Sequence, residues 1–143
     1  MSEAIARQWL TDCAATATNK QFAAHMDLIS KTVSVTGLEG FDNIDYDAWH
    51  RVCEKEFATG VLKSVRYDGL KMLSSTETQV RFKTFEVVEA TDGTINAQGI
   101  EVVLGLEDDG NWRLLQERVL TEAEARQDGL VQGTLLRTLL PSD

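Results

Sequence analysis

A chain of 143 residues that is 43% hydrophobic and 26% charged can bury one core without disulfides or metals, and is short for a multidomain enzyme. Its formal charge of −9, spread along the chain, repels phosphates and anionic lipid and so argues against nucleic-acid and membrane partners. No run approaches the ~20 apolar residues of a membrane span, and the opening MSEAIARQWL lacks the order of a signal peptide, so the expectation is a soluble, cytoplasmic protein with Cys13 and Cys53 reduced and core-filling.

In chain order, Ile5, Trp9, Cys13 and Ala17 recur at helical spacing, widened by Ala6, Leu10 and Ala14, and predict a first helix from about Ser2 to about Thr18. Asn19 reads as the cap of a short second helix in which Phe22, Met26 and Ile29 share a face. SKTVSVTG alternates Val33 and Val35 with Thr32, Ser34 and Thr36, the period of a half-buried strand, and Gly37 and Gly40 end it. Asp45 is placed to cap a helix over DYDAWHRVCEKEF, with Gly60 as its left-handed close.

Long strands follow at about 61–73, 78–90, 95–107 and 112–120, the last three separated by the hairpin signals TDGT and DDGN. Asp68 and Gly69 break the phase of the first and predict a bulge. TEAE then sets Thr121 and Glu124 as a capping box, and Leu135, Leu136, Leu139 and Leu140 carry a helical stripe as far as Pro141. Such a leucine-rich end has to be buried on its own domain or against a partner subunit.

Helices and a short strand ahead of an antiparallel meander make an α+β fold. The expectation is N-terminal helices packed on a strongly curved, mainly antiparallel sheet forming a cone over residues 1–120, with a partly helical tail at 121–143. This order, the Trp of the first helix, the passages HMDLISKTVSVTGLEG and DYDAWHRVCEKEF, and the terminal strand pair carrying EDDGNWRLLQERVL together resemble the nuclear-transport-factor-two-like superfamily. That cystatin-like cone includes ketosteroid-isomerase-like and polyketide-cyclase-like proteins and scytalone dehydratase. The resemblance implies an open end that holds a small, mostly apolar molecule and a sheet that forms homodimers. It implies no particular reaction, because the scaffold hosts unrelated activities, and the first helix here has no Tyr.

Around the third helix, at roughly 100° per residue, Tyr46, Trp49, Val52, Cys53 and Phe57 define an apolar sector, and Glu56 falls inside it. A carboxylate there either escapes to water at the helix end or, at the mouth of a cone, becomes a general acid or base. His25 lies at the edge of the second helix's apolar face and His50 at the edge of the third's, where a histidine is either a rim residue or a proton carrier. Val80, Phe82, Thr84, Glu86 and Val88 share one face of a strand, and Trp112, Leu114, Gln116, Arg118 and Leu120 share one face of another. If both rows face the cone, Glu86, Gln116 and Arg118 converge, with Arg118 able to bind a carboxylate ligand or neutralise Glu86. If they face outward, they make a polar dimer contact.

The candidate catalytic residues are therefore Glu56, His25 and Glu86, and the candidate ligand contacts are Arg118, Gln116, Trp49, Trp9, Phe22 and Phe82. His50, Cys53 and Glu54 do not converge as metal ligands, and no phosphate loop, nucleophile elbow or dinucleotide fingerprint is present, so neither metal nor cofactor is expected. Two readings fit. One is a binder of an apolar or amphipathic metabolite performing cofactor-free isomerisation, dehydration or cyclisation. The other is a non-enzymatic dimeric module whose cone is filled by its own side chains.

Overall fold

The computed structural model describes residues 2–38, 40 and 42–130. Helix α1 (Ser2–Thr18) buries Ala6, Trp9, Leu10, Cys13 and Ala17, the helical stripe seen in the sequence. Lys20 then takes a left-handed conformation (φ 57°), and the single turn of α2 (Phe22–Met26) starts from Gln21 without a side-chain cap, so Asn19 does not play that part. Strand β1 (Ile29–Thr36) leads to α3 (Tyr46–Thr59). The Asp45 carboxylate accepts a hydrogen bond from the Ala48 backbone N–H at 3.0 Å, and Gly60 closes the helix at φ 72°. Strands β2 (Leu62–Ser75), β3 (Gln79–Ala90), β4 (Ile95–Leu106) and β5 (Trp112–Val119) follow, and Thr121 and Glu124 form the capping box of α4 (Glu122–Gln127).

The sheet order is β1-β5-β4-β3-β2. The chain lays down one edge, crosses through α3 to the other edge, and returns by an antiparallel meander until β5 joins β1 in parallel. The architecture is thus α+β with a curved, mainly antiparallel sheet. The stripe at Leu135, Leu136, Leu139 and Leu140 lies outside the described residues. Among the described residues no helix is long and apolar enough to cross a membrane.

The sheet has a core on each side. The concave core joins Trp9, Cys13, Met26 and Cys53 of the helices to Val33, Val35, Phe82, Val102 and Leu114 of the strands. On the convex side α4 and Leu130 cover Phe85, Val87, Ile95 and Leu120.

Burial on the concave face is graded along the strands. On β3, Val80, Phe82 and Thr84 are sealed, while Glu86 and Val88 are half-buried; on β4, Leu104, Val102 and Ile100 are sealed, Gln98 is half-buried and Asn96 is exposed. The cone is packed at one end and opens toward the β3–β4 hairpin.

Candidate functional site

The open end is where the concave face stops being apolar. Glu86 arrives there by simple alternation along β3, two positions beyond Thr84. Its cross-strand neighbours are Gln98 on β4 and Tyr67 on β2. Tyr67 faces inward because the strand slips by one residue between Asp68 and Leu70, where Gly69 adopts φ 75°. The Thr84 hydroxyl, itself fully buried, donates to the Gly69 carbonyl and ties the bulge down.

The Tyr67 hydroxyl lies 3.1 Å from Glu86 Oε2 and 3.3 Å from Cys13 Sγ. It has one proton to give, so it donates to the Glu86 carboxylate while the Cys13 thiol donates to it, or accepts from Glu86 when that acid is protonated.

A second carboxyl shares this interior. Between Leu114 and Gln116 the pairing of β5 with β4 slips by one residue, so Gln116 pairs with Val103 and Glu117 with Val102. Glu117 also pairs with Val35 on β1, and both of these partners belong to the concave core. The residue is 9% exposed. Among the described residues it has no hydrogen-bond or ion-pair partner, yet none of their buried side-chain oxygens or nitrogens is sealed off without a partner. Its carboxyl lies on the concave side of the sheet, beside Val35 and Val102.

Burial pushes the Glu117 carboxyl well above its ordinary range, and the nearby Glu86 carboxyl pushes it further. Glu86 is also raised by burial, although its bonds from Tyr67 and Gln98 favour the ionised form. Burial raises Tyr67 as well, so the phenol stays protonated.

The three-dimensional arrangement decides the fold. It matches an NTF2-like protein with a cystatin-like fold from Novosphingobium aromaticivorans at a TM-score of 0.66 and 13% identity, covering 92% of this chain and 89% of that one. The chain has the nuclear-transport-factor-two-like fold. ActVI-ORFA from Streptomyces coelicolor is similar at a TM-score of 0.62 and 12% identity, over 82% of this chain and 95% of that one. A protein provisionally called a scytalone dehydratase, also from Novosphingobium aromaticivorans, is similar at 0.64 and 14% identity, over 82% and 81%. No family model and no curated protein matches the sequence. At these identities the likeness is one of fold.

On this nuclear-transport-factor-two-like cone the residues singled out in the sequence fall into three groups. Glu86 is at the open end. His25 and Glu56 are on the helical wall. His25 is 6% exposed, shares a 2.9 Å hydrogen bond with the Thr16 hydroxyl through Nδ1, and stacks obliquely on Phe57. Burial lowers its pKa from 6.5 to about 4, so the imidazole is neutral near pH 7. Glu56 is half-buried on α3, its carboxyl raised by desolvation; burial, and to a smaller extent the Glu56 charge, holds the Cys53 thiol up at about 12. Trp49 and Phe22 are half-buried against the core, with the Phe22 ring edge-on to His50 and Phe57.

Trp9 and Phe82 instead belong to the packed end, where the Trp9 indole N–H donates to the Leu28 carbonyl at 3.1 Å. They form the floor of the cone, and Trp9 also lines a surface cleft with Leu28 and Trp112.

Gln116 and Arg118 are the correction. The slip in β5 turns both onto the convex face. Gln116 is exposed there, and Arg118 pairs with Glu101 at 3.0 Å and with both carboxylate oxygens of Glu124 on α4. Neither converges with Glu86, and Arg118 does not neutralise it. The groups that do converge, Tyr67 and Glu117, were not among the expected residues. The sequence signal for Tyr67 was the Asp68-Gly69 bulge carried one step further. For Glu117 it was only the Leu114-Leu115 pair, which interrupts strict alternation.

Surface clefts lie between α1 and β2, where Tyr67 is part of the lining, and between α2, β1 and the β4–β5 hairpin; neither is lined by Glu86 or Glu117. Among the described residues no cluster of His, Cys, Asp and Glu is arranged to hold a metal ion.

Proposed function

We propose that the open end of the cone binds a small, largely apolar molecule and exchanges a proton with it without a cofactor, the step common to isomerisation, dehydration and cyclisation. One observation carries this reading. Two carboxyl groups, Glu86 and Glu117, point into an apolar interior where no cation among the described residues neutralises them, and one of them is hydrogen-bonded to a buried phenol. A packed structural core has no use for such groups, whereas proton transfer needs acids whose affinity for the proton has been raised toward neutral pH.

In this reading Glu86 is the proton carrier. Ionised, it accepts from Tyr67; protonated, it can donate to a ligand oxygen or nitrogen while Tyr67 remains a donor beside it. Phe57, Trp49, Val35 and Val119 supply apolar wall, and Glu56 and His25 stand behind it on the helices.

The test is a thermal-shift screen of apolar ketones, alcohols and amines, followed by turnover of whatever binds. A ligand at 100 times its Kd adds about 2.7 kcal/mol of stability. Glu86→Gln is expected to keep binding and lose turnover. An absence of stabilisation across the screen would instead favour a cone closed by its own side chains.

A further inference from the structure

We propose that the molecule bound at the open end carries an ammonium group and that Glu117 is its anchor. This rests on the reading of the cone as a small-molecule site and adds the chemical class of the molecule.

Glu117 is nine-tenths buried, faces the concave interior beside Val35 and Val102, and has no partner among the described residues. The contrast with the other charged groups is sharp. Arg81 and Arg118 face Glu101, and Lys71 and Lys83 face Asp128, all on the convex side; Arg113 is held by Asp27, Glu107 and Asp109 at the packed end. Among the described residues no Lys or Arg turns into the cone to meet either buried acid.

The titratable groups facing the interior are Cys13 on α1, His25 on α2, Cys53 and Glu56 on α3, Tyr67 on β2 and Glu86 on β3. None of them is positively charged near pH 7.

The ligand classes then separate by charge. A carboxylate or phosphate would bring its negative charge into an apolar space already lined by two acids and no cation among the described residues, a penalty of several kcal/mol in low dielectric. A neutral alcohol or ketone would give one hydrogen bond and leave two acids competing for protons. An ammonium group supplies three donors and a positive charge beside which Glu117 can release its proton, and the resulting bond to a carboxylate is the stronger, charge-assisted kind. The aromatic rings of Trp49 and Phe57 on the helical wall suit the body of such a molecule and attract a cation as well. Glu86 and Tyr67 remain free for the proton exchange.

Three molecules of one shape separate the possibilities: phenylpropylamine, phenylpropanol and phenylpropanoate, titrated by calorimetry near pH 7 into the wild type and into Glu117→Gln. The amine is expected to bind at least tenfold more tightly than the alcohol, about the worth of one charge-assisted bond, and phenylpropanoate not measurably. Glu117→Gln is expected to bring the amine down to the level of the alcohol and leave the alcohol unchanged. Should the alcohol match the amine, should phenylpropanoate bind, or should the amine's advantage survive Glu117→Gln, the ammonium assignment falls while the small-molecule site stands. If none of the three binds, and larger bicyclic amine, alcohol and acid homologues also fail, both readings fall.

Discussion

Replacing Glu117 with Gln is expected to stabilise the protein by an amount that grows with pH. Burial and the neighbouring Glu86 carboxyl raise the Glu117 carboxyl well above its ordinary value of 4.5. Above about pH 4.5 the unfolded chain has released this proton while the folded chain still holds it, so native stability falls as pH climbs toward the folded value. Below that pH both states are protonated and the contribution is complete. For one retained proton the slope is about 1.4 kcal/mol per pH unit. Glutamine keeps the shape and needs no proton to be neutral in the interior. The variant should therefore be close to the wild type at about pH 4.5 and gain up to about 1.4 kcal/mol with each unit above it. With a urea m-value of ~2 kcal/mol/M, the two midpoints separate by ~0.7 M per pH unit. Urea unfolding followed by tryptophan fluorescence, in unit steps from about pH 5 to about pH 8, measures this directly. His25 titrates in the opposite sense over part of the range but is present in both proteins and cancels in the difference. A difference that does not change with pH, or a variant less stable throughout, refutes the placement of this carboxyl in the interior.

Three further outcomes are expected. Because His25 is held neutral until about pH 4 whereas the unfolded residue protonates at 6.5, native stability is lost as pH falls through that window, by about 3 kcal/mol in all; His25→Gln should remove this part of the acid sensitivity, as read from thermal midpoints between about pH 4 and about pH 7. Gly37 has φ 86° and an added Cβ would sit 2.5 Å from the Val119 carbonyl oxygen, so Gly37→Ala should cost about 2 kcal/mol and lower Tm by about 5 °C in calorimetry, and an unchanged Tm would mean β1 and β5 are not joined as described. Arg118→Ala should loosen α4, speeding tryptic cleavage after Arg126 at a cost of no more than about 1 kcal/mol because the ion pairs are screened by water; it should leave ligand affinity at the cone unchanged, and a tenfold loss of affinity would contradict its outward placement.

Much of the frame was legible because its signals are local. The stripe of α1, the Asp45 cap and Gly60 close of α3, and the turns TDGT and DDGN each involve a few neighbouring residues, and the structure puts Gly93 and Gly110 at φ 91° and 84° in those turns. Asn19 failed as a cap because Lys20 takes the left-handed turn and the next helix starts at Gln21. The site was less legible, because facing in a strand is a running count, and one slip reverses every side chain after it. Gly69 announces the slip in β2, since its φ of 75° is one that few other residues tolerate. Nothing comparable announces the slip in β5, where the extra residue is an ordinary Leu115.

That unannounced slip bears on function. A regular β5 would have carried the alternation from Leu114 to Gln116, setting a neutral amide opposite Val102 and leaving Glu117 on the convex face beside Glu101. The slip does the reverse: it exposes the amide and buries an acid next to a second acid. On stability alone this is the worse choice, since a buried carboxyl without a partner costs several kcal/mol or binds a proton it would otherwise release. Folds keep local violations of this kind mainly where the group is used. The same substitution tests both halves of the argument. If Glu117→Gln gains stability above about pH 5 and loses the preference for an amine, one carboxyl accounts for both the cost to the fold and the selectivity of the site.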